Sequence, residues 1–331
     1  MRLKRLRHNT MTKNITIFVL LIVFIAVFIL AVFWGAVNMD FTQLSDTDLD
    51  ILTYSRLPRV LLAGLVGASL SLSGVLFQYV MKNPLADSFT TGASASSAMG
   101  AVLAILFGLG FLIPVFALIG GVIGLTIVYK VSSVNGKVQP ITMLLAGIVV
   151  STFASSVISL MKYIADDSVA SIIFWLMGGF QDASMQQVGV LTTVLIIAWL
   201  AIRKNYLSLD IICFDDSTAM ASGVDVHPLR KKIFFIAALL TAICVGYAGI
   251  IGFVGLIIPH MVRLFKFVIA SELVPISMLF GAIFMILNDL LARVILTDGQ
   301  ELSVGILTSA IGGAFFLYLL MKRKKELYYF D

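Results

Sequence analysis

The side chains able to do chemistry are few. Three histidines, His8, His227 and His260, and two cysteines, Cys213 and Cys244, lie far apart in the chain. None has the spacing of a metal ligand set, and both cysteines read as small apolar fillers. There is no G-x-x-x-x-G-K-[ST] phosphate loop, so any nucleotide the system uses binds to another subunit. A catalytic centre would need clustered His, Asp or Glu, and the sequence offers none. No catalytic residue, metal ligand or cofactor site is therefore assigned, and the chain does not read as an enzyme. What remains is a pattern of arginines. Arg56 and Arg59 bracket a proline in SRLPR, and Arg293 follows Asp289 by four in NDLLAR. The planar fork of a guanidinium takes a carboxylate in bidentate fashion. The i,i+4 spacing puts Asp289 and Arg293 on one helix face, where they can pair. The chemistry open to these residues is recognition of acidic groups.

The elements that hold these arginines must be membrane helices. The chain has 331 residues, 60% hydrophobic and only 12% charged, with mean hydropathy +1.05. A soluble domain is nearer half apolar and a quarter charged, so the bilayer must be the solvent. The net charge of +5 is not a nucleic-acid signal, because the basic residues fall between apolar runs. MRLKRLRHNTMTK precedes an apolar run too long for a signal peptide and lacking an A-x-A site, which reads as a first span. Candidate spans are 15–37, 58–81, 92–109, 113–130, 140–161, 187–202, 232–250, 251–265, 274–294 and 304–321. GLGFLIP separates the third from the fourth, and Gly249–Gly252 separates the seventh from the eighth. The expectation is a single all-α membrane domain, 1–331, with ten transmembrane helices and both termini cytoplasmic.

Charge supports that orientation. With the N-terminus inside, only Arg56, Arg59, Lys162 and Arg293 of the 23 Lys and Arg residues fall outside, as the positive-inside rule expects. Asp40, Asp46, Asp48, Asp50, Asp166, Asp167, Asp182, Asp298 and Glu301 all fall outside. Arg56, Arg59 and Arg293 break the rule together, and Pro58 stiffens the turn that Arg56 and Arg59 flank. They either receive acids from outside or bind lipid phosphate and neighbouring acids such as Asp289 and Glu301.

Other segments point the same way. AGLVGASLSLSG (63–74) and TGASASSAMGA (91–101) stack small residues, which allow close helix packing in lipid and, through their hydroxyls, a weakly polar path. The largest cytoplasmic loop contains DDSTAMASGVDV. Asp216 or Ser217 can cap a short helix there and Gly223 can end it. That helix is either a docking knob with exposed Ala and Met or an ordinary connection. DDSVASIIFWLMGGFQDASMQQ is too short to cross again, and is expected as an outer-surface helix with Trp175 and Phe180 at the interface.

These stretches together resemble the permease subunits of ABC importers for iron–siderophore complexes, haem and cobalamin, the FecCD type. The resemblance covers about residues 55 to 321 and rests on long motifs: RLPRVLLAGLVGASLSLSGVLFQYVMKNPLAD (56–87), LLAGIVVS (144–151), FWLMGGF (174–180), AMASGV (219–224), AGIIGFVGLIIPHMVRLF (248–265) and NDLLARVILTDGQELSVGILTSAIGGAFFLYLL (288–320). Family members often have proline where Ser303 and Ala314 stand. The resemblance implies a ten-span fold in a bacterial cell membrane, surrounded by lipid. It also implies a second permease, identical or paralogous, two ATPase subunits holding ATP and Mg, and an external substrate-binding protein, a lipoprotein where there is one membrane. By the same resemblance, Ser217 to Val226 couple to the ATPase, with Ser217, Ala219, Met220, Ala221, Ser222, Gly223 and Val224 at the contact. Arg56, Arg59 and Arg293 receive acidic groups of the binding protein, and Gln139, Pro140, Ile141 and Thr142 lie at the cytoplasmic gate. The cargo it implies is an iron chelate, siderophore or haem. The competing reading, a secondary transporter driven by an ion gradient, requires carboxylates at mid-membrane depth, and the spans offer Asp289 alone.

Overall fold

In the computed structural model, which describes residues 2–35, 45–134, 137–165, 168–296 and 300–327, the chain is a bundle of helices. The helices are α1 (Arg2–Phe33), α2 (Asp46–Asp50), α3 (Leu57–Met81), α4 (Ala93–Leu106), α5 (Ile113–Val131), α6 (Pro140–Ile164) and α7 (Val169–Met177), followed by α8 (Met185–Arg203), α9 (Tyr206–Ile212), α10 (Asp216–Ala221), α11 (Val226–Ala248), α12 (Val254–Leu264), α13 (Ala270–Val294) and α14 (Val304–Leu327). A two-residue antiparallel ladder, β1 (Ser133–Val134) with β2 (Lys137–Val138), precedes α6. Asp40, Asp166, Asp167 and Asp298 lie outside the described residues.

Among the described residues, seven helical stretches are long and apolar enough to cross a membrane: 15–33, 46–81, 110–131, 140–164, 185–203, 226–248 and 270–294. The expected spans 92–109, 251–265 and 304–321 correspond to shorter apolar helices over 93–106, 254–264 and 304–319. Each of the ten segments is thus helical, but these three are short for a full crossing. At about 1.5 Å per residue, α12 reaches little more than half of a hydrocarbon core. The break before α12 falls where the glycines predicted it. α11 ends at Gly249, with φ +66°, and α12 starts after Phe253, itself left-handed at φ +67°.

SRLPR is helical rather than a turn. α2 runs through a wide π-type turn, Ile51–Arg56, directly into α3. Pro58 stands in the first turn of α3, where its ring would crowd the carbonyl four residues back. The wider turn ahead of it relieves that contact. Phe180 also departs from expectation, being only 1% exposed and part of the core rather than at the interface.

α3 is the centre of the bundle, buried along nearly its whole length. Its small residues explain this. A Cβ on Gly67 would sit 2.2 Å from the carbonyl oxygen of Gly281 in α13, and one on Gly74 would sit 2.0 Å from that of Gly255 in α12. Backbones this close are the close packing that small residues permit in lipid. α1, by contrast, turns mostly apolar, exposed side chains outward, as a lipid-facing helix does.

Candidate functional site

The ion pairs among the described residues gather at the two ends of the bundle. One end bears Lys82, Arg230 and Arg263 and is the end that the charge count assigns to the cytoplasm; here it is termed the basic end, and the opposite one the outer end.

At the outer end, the π-type turn, α3 and α13 bring the three predicted arginines together. All are buried: Arg56 is 5%, Arg59 7% and Arg293 2% exposed. Arg59 Nε donates to Asp289 Oδ1 at 2.9 Å and its Nη1 to Glu301 Oε2 at 2.8 Å. Arg293 Nε lies 3.1 Å from Asp289 Oδ2, the pair expected from the i,i+4 spacing. The remaining donors turn to the end of α1. Arg56 Nη1 bonds the carbonyl of Phe33 at 2.8 Å, and Arg293 bonds those of Trp34 at 3.1 Å and Ala31 at 3.0 Å. The last carbonyls of a helix lack internal partners, and cations suit the negative end of its dipole. The arginines thus close off α1. Arg59 Nη2 is buried without a hydrogen-bond partner among the described residues, and Glu301, with its side chain 22% exposed, is the acid nearest the rim. A cleft of about 650 Å³ opens at the same end, lined in part by Phe174, Trp175, Gln181, Tyr247 and Ser303.

At the basic end, α10 stands out from the bundle. Its N-cap is Asp215, which accepts from the Thr218 amide at 2.8 Å, one residue before the caps the sequence suggested. Asp216 is freed for ion pairs with Lys82 at 2.8 Å and Arg230 at 3.0 Å. Hydrogen bonds from Arg230, with help from Lys82, hold the Asp216 carboxyl down at about 2. Gly223, at φ +82°, ends the helix, since a residue with a side chain is strained there. Ser217, Met220, Ala221, Ser222 and Gly223 are exposed, whereas Ala219 and Val224 face inward and anchor the segment. Of the expected contact set, Ala219 and Val224 are therefore packed against this chain itself.

Gln139 to Thr142 open α6 at the same end. Gln139 is extended and exposed, Pro140 occupies the first turn, Thr142 Oγ1 lies 3.3 Å from Gln139 Oε1, and Ile141 is 76% exposed. Farther along α6, Thr152, Ser155, Ser156 and Ser159 form an exposed stripe of hydroxyls. Thr152, Ser156 and Ser159 bond back to the carbonyls four residues earlier, so these three hydroxyls are satisfied within the helix yet remain wettable.

Several participants escaped the sequence reading. Asp210 of α9 accepts from Tyr79 Oη at 3.1 Å and from the Ala270 amide at 2.8 Å, capping α13 from a distance where Ile269 cannot. Gln78 accepts from Arg263 at 2.5 Å and donates to Gly255 at 3.3 Å. Among the described residues no group of three His, Cys, Asp or Glu could hold a metal ion.

Similarity to known proteins resolves which kind of membrane protein uses this arrangement. The sequence matches the FecCD transport family over residues 18–322. The chain belongs to that family. A molybdate import system permease protein of Haemophilus influenzae is 37% identical over 279 residues, covering 82% of this chain and 80% of its own. A protein named as a probable iron chelatin transport system permease of Helicobacter pylori is 33% identical over 293 residues, covering 87% and 86%. A solved structure described as an inward-facing, metal-chelate type ABC transporter superposes with TM-score 0.84 at 30% identity, over 94% of this chain and 99% of that one. The chain is therefore a FecCD-family permease subunit of an ABC transporter, a transport component and not an enzyme. In this FecCD permease Asp289 is engaged by Arg59 and Arg293, which leaves the secondary-transporter reading without its one candidate proton carrier.

Proposed function

We propose that this FecCD permease imports an iron chelate, a siderophore complex or haem, across a bacterial cell membrane. Two copies, or this chain and a paralogue, enclose the path, with the hydroxyl stripe of α6 turned toward it. ATP and Mg are held by two partner ATPase subunits. An external binding protein delivers the cargo to the outer end. The observation carrying this reading is α10: a helix of six residues, clamped to the bundle by ion pairs, with Met220, Ala221 and Ser222 free to seat in a partner.

α10 is too short to be stable alone, so the bundle must hold it for a purpose, and a rigid knob at the basic end can transmit force from an ATPase. At α6, Gln139, Pro140, Ile141 and Thr142 close the path on that side. At the outer end the binding protein offers a carboxylate that displaces Glu301 from Arg59, while Arg56 and Arg293 supply the surrounding positive field. An iron chelate as cargo is supported by the naming of the Helicobacter pylori relative and by a weakly polar path suited to a bulky chelate.

The test is reconstitution with the co-expressed ATPase and binding protein. Uptake of a ferric siderophore or haem into vesicles should require ATP and stop with vanadate. Uptake that persists without the ATPase, or that follows an imposed ion gradient, would overturn the reading.

A further inference from the structure

A single buried side chain connects α10 to the start of α6. Arg230 lies in the first turns of α11 and is fully buried. Its Nη1 donates to Asp216 Oδ2 at 3.1 Å and to the carbonyl of Val138 at 3.2 Å, and its Nη2 donates to Asp216 Oδ1 at 3.0 Å. Val138 is the last residue of β2, where it pairs with Ser133. The next residue, Gln139, donates its amide to the Ser132 carbonyl at 3.1 Å and begins α6. Asp216 is also held by Lys82, the left-handed residue that ends α3, whose Nζ reaches the Phe214 carbonyl as well. The fork of Arg230 therefore grips α10 with both terminal nitrogens and the strand leading into α6 with one of them.

We infer that Arg230 is the positioning residue that passes displacement of α10 to the Gln139–Thr142 segment. The inference rests on the proposed roles of α10 as the ATPase contact and of Gln139–Thr142 as the gate. A link of this kind must be short, directional and shielded from water, because bonds open to solvent exchange partners instead of transmitting movement. Arg230 supplies a fully buried guanidinium, a bidentate grip on the half-exposed Asp216 carboxylate and a buried bond to the Val138 backbone carbonyl. Lysine cannot replace it, since an ammonium is a point donor without the rigid fork that engages two elements in fixed geometry.

The experiment uses the assembled complex with its ATPase and binding protein in vesicles. Ile141→Cys in both permeases reports gate closure by crosslink yield with and without nucleotide, and Met220→Cys reports the contact of α10 with the ATPase. In Arg230→Lys, ATP hydrolysis should stay within about twofold of wild type while uptake falls about tenfold, a loss of coupling in the ordinary range. The Ile141→Cys crosslink should then cease to respond to nucleotide. Asp216→Ala, a change at a half-exposed position, provides a second variant should Arg230→Lys not assemble, and its gate crosslink should become unresponsive too. A gate crosslink that still follows nucleotide in either variant, with the Met220→Cys contact intact, overturns the link alone. A missing Met220→Cys contact in the otherwise unaltered chain overturns the ATPase-contact reading, and the link with it.

Discussion

Arg59 and Asp289 meet at 2.9 Å although 230 positions separate them in sequence. The bond ties the outer end of α3 to that of α13, and Arg293 closes on the same carboxylate at 3.1 Å. Two guanidiniums around one acid leave surplus positive charge, which Glu301 offsets at 2.8 Å from Arg59. Buried ions are tolerated only when each has its partner.

Asp289→Asn should therefore destabilise the permease by about 3 kcal/mol or more, because it leaves the buried Arg293 without an acid and Arg59 with Glu301 alone. Glu301→Gln, at the rim, should cost about 1 kcal/mol or less. Thermal unfolding in detergent, followed by loss of monodisperse protein, orders the two. Equal losses would mean that Asp289 is not the centre of the cluster.

Arg59→Glu would place a third carboxylate beside Asp289 and Glu301 and should prevent stable expression. Arg56→Glu tests docking more cleanly, since Arg56 bonds the backbone carbonyl of Phe33 and pairs with neither of those acids. It should weaken association with the binding protein about tenfold, one charge-assisted contact's worth, and added salt should weaken wild-type docking by screening. Affinity of Arg56→Glu equal to wild type would confine Arg56 to holding the end of α1.

Two glycines should answer alike substitutions in opposite ways. Gly74→Ala puts a methyl group 2.0 Å from a backbone oxygen of α12 and should destabilise by about 1–3 kcal/mol, as overpacking does. A Cβ on Gly313 in α14 meets nothing within 4 Å, so Gly313→Ala should be neutral or stabilise by up to about 1 kcal/mol through helix propensity. If α14 faces a second permease, Gly313→Leu should shift the dimer fraction by light scattering while leaving monomer stability unchanged.

Asp216 should make α10 acid-sensitive. Its carboxyl is lowered to about 2 in the fold from 3.8, so the charged form is the one the fold favours. The stabilisation is fully present above about pH 4 and is lost as pH falls toward 2, when the carboxylate protonates and releases Arg230 and Lys82. Limited pepsin digestion across that interval should open a cut near Phe214 progressively. In Asp216→Asn the cut should appear at the same rate throughout the interval.

The breaks and faces of this fold were legible because they are local. Gly249, the GLGFLIP stretch and the small residues of α3 each act through their own backbone, and Asp289 with Arg293 share one helix face. The joins between elements were not legible. Asp216 with Arg230, Lys82 with Asp216, and Asp210 with the amide of Ala270 depend on how helices register against each other, which no periodicity records. The same limit hid the surroundings of Arg56 and Arg59. Their types announced acid recognition, but only packing revealed that the acids and carbonyls of this very chain already occupy most of their donors. The π-type turn before Pro58 was obscured for another reason, since a proline among polar residues reads as a turn when the helix around it is out of view.

The contacts of Gly67 with Gly281 and of Gly74 with Gly255 have a mechanical consequence. Backbones separated by less than the width of a methyl group cannot roll or slide past each other, so α3, α12 and α13 behave as a stator. α6 and α14 turn exposed faces away from this frame, yet each is pinned at one point in the same way, α6 where Gly147 meets the Thr90 carbonyl and α14 where Gly305 meets that of Met177. The outer arginine cluster and the cap that Asp210 places on α13 are both mounted on this rigid frame.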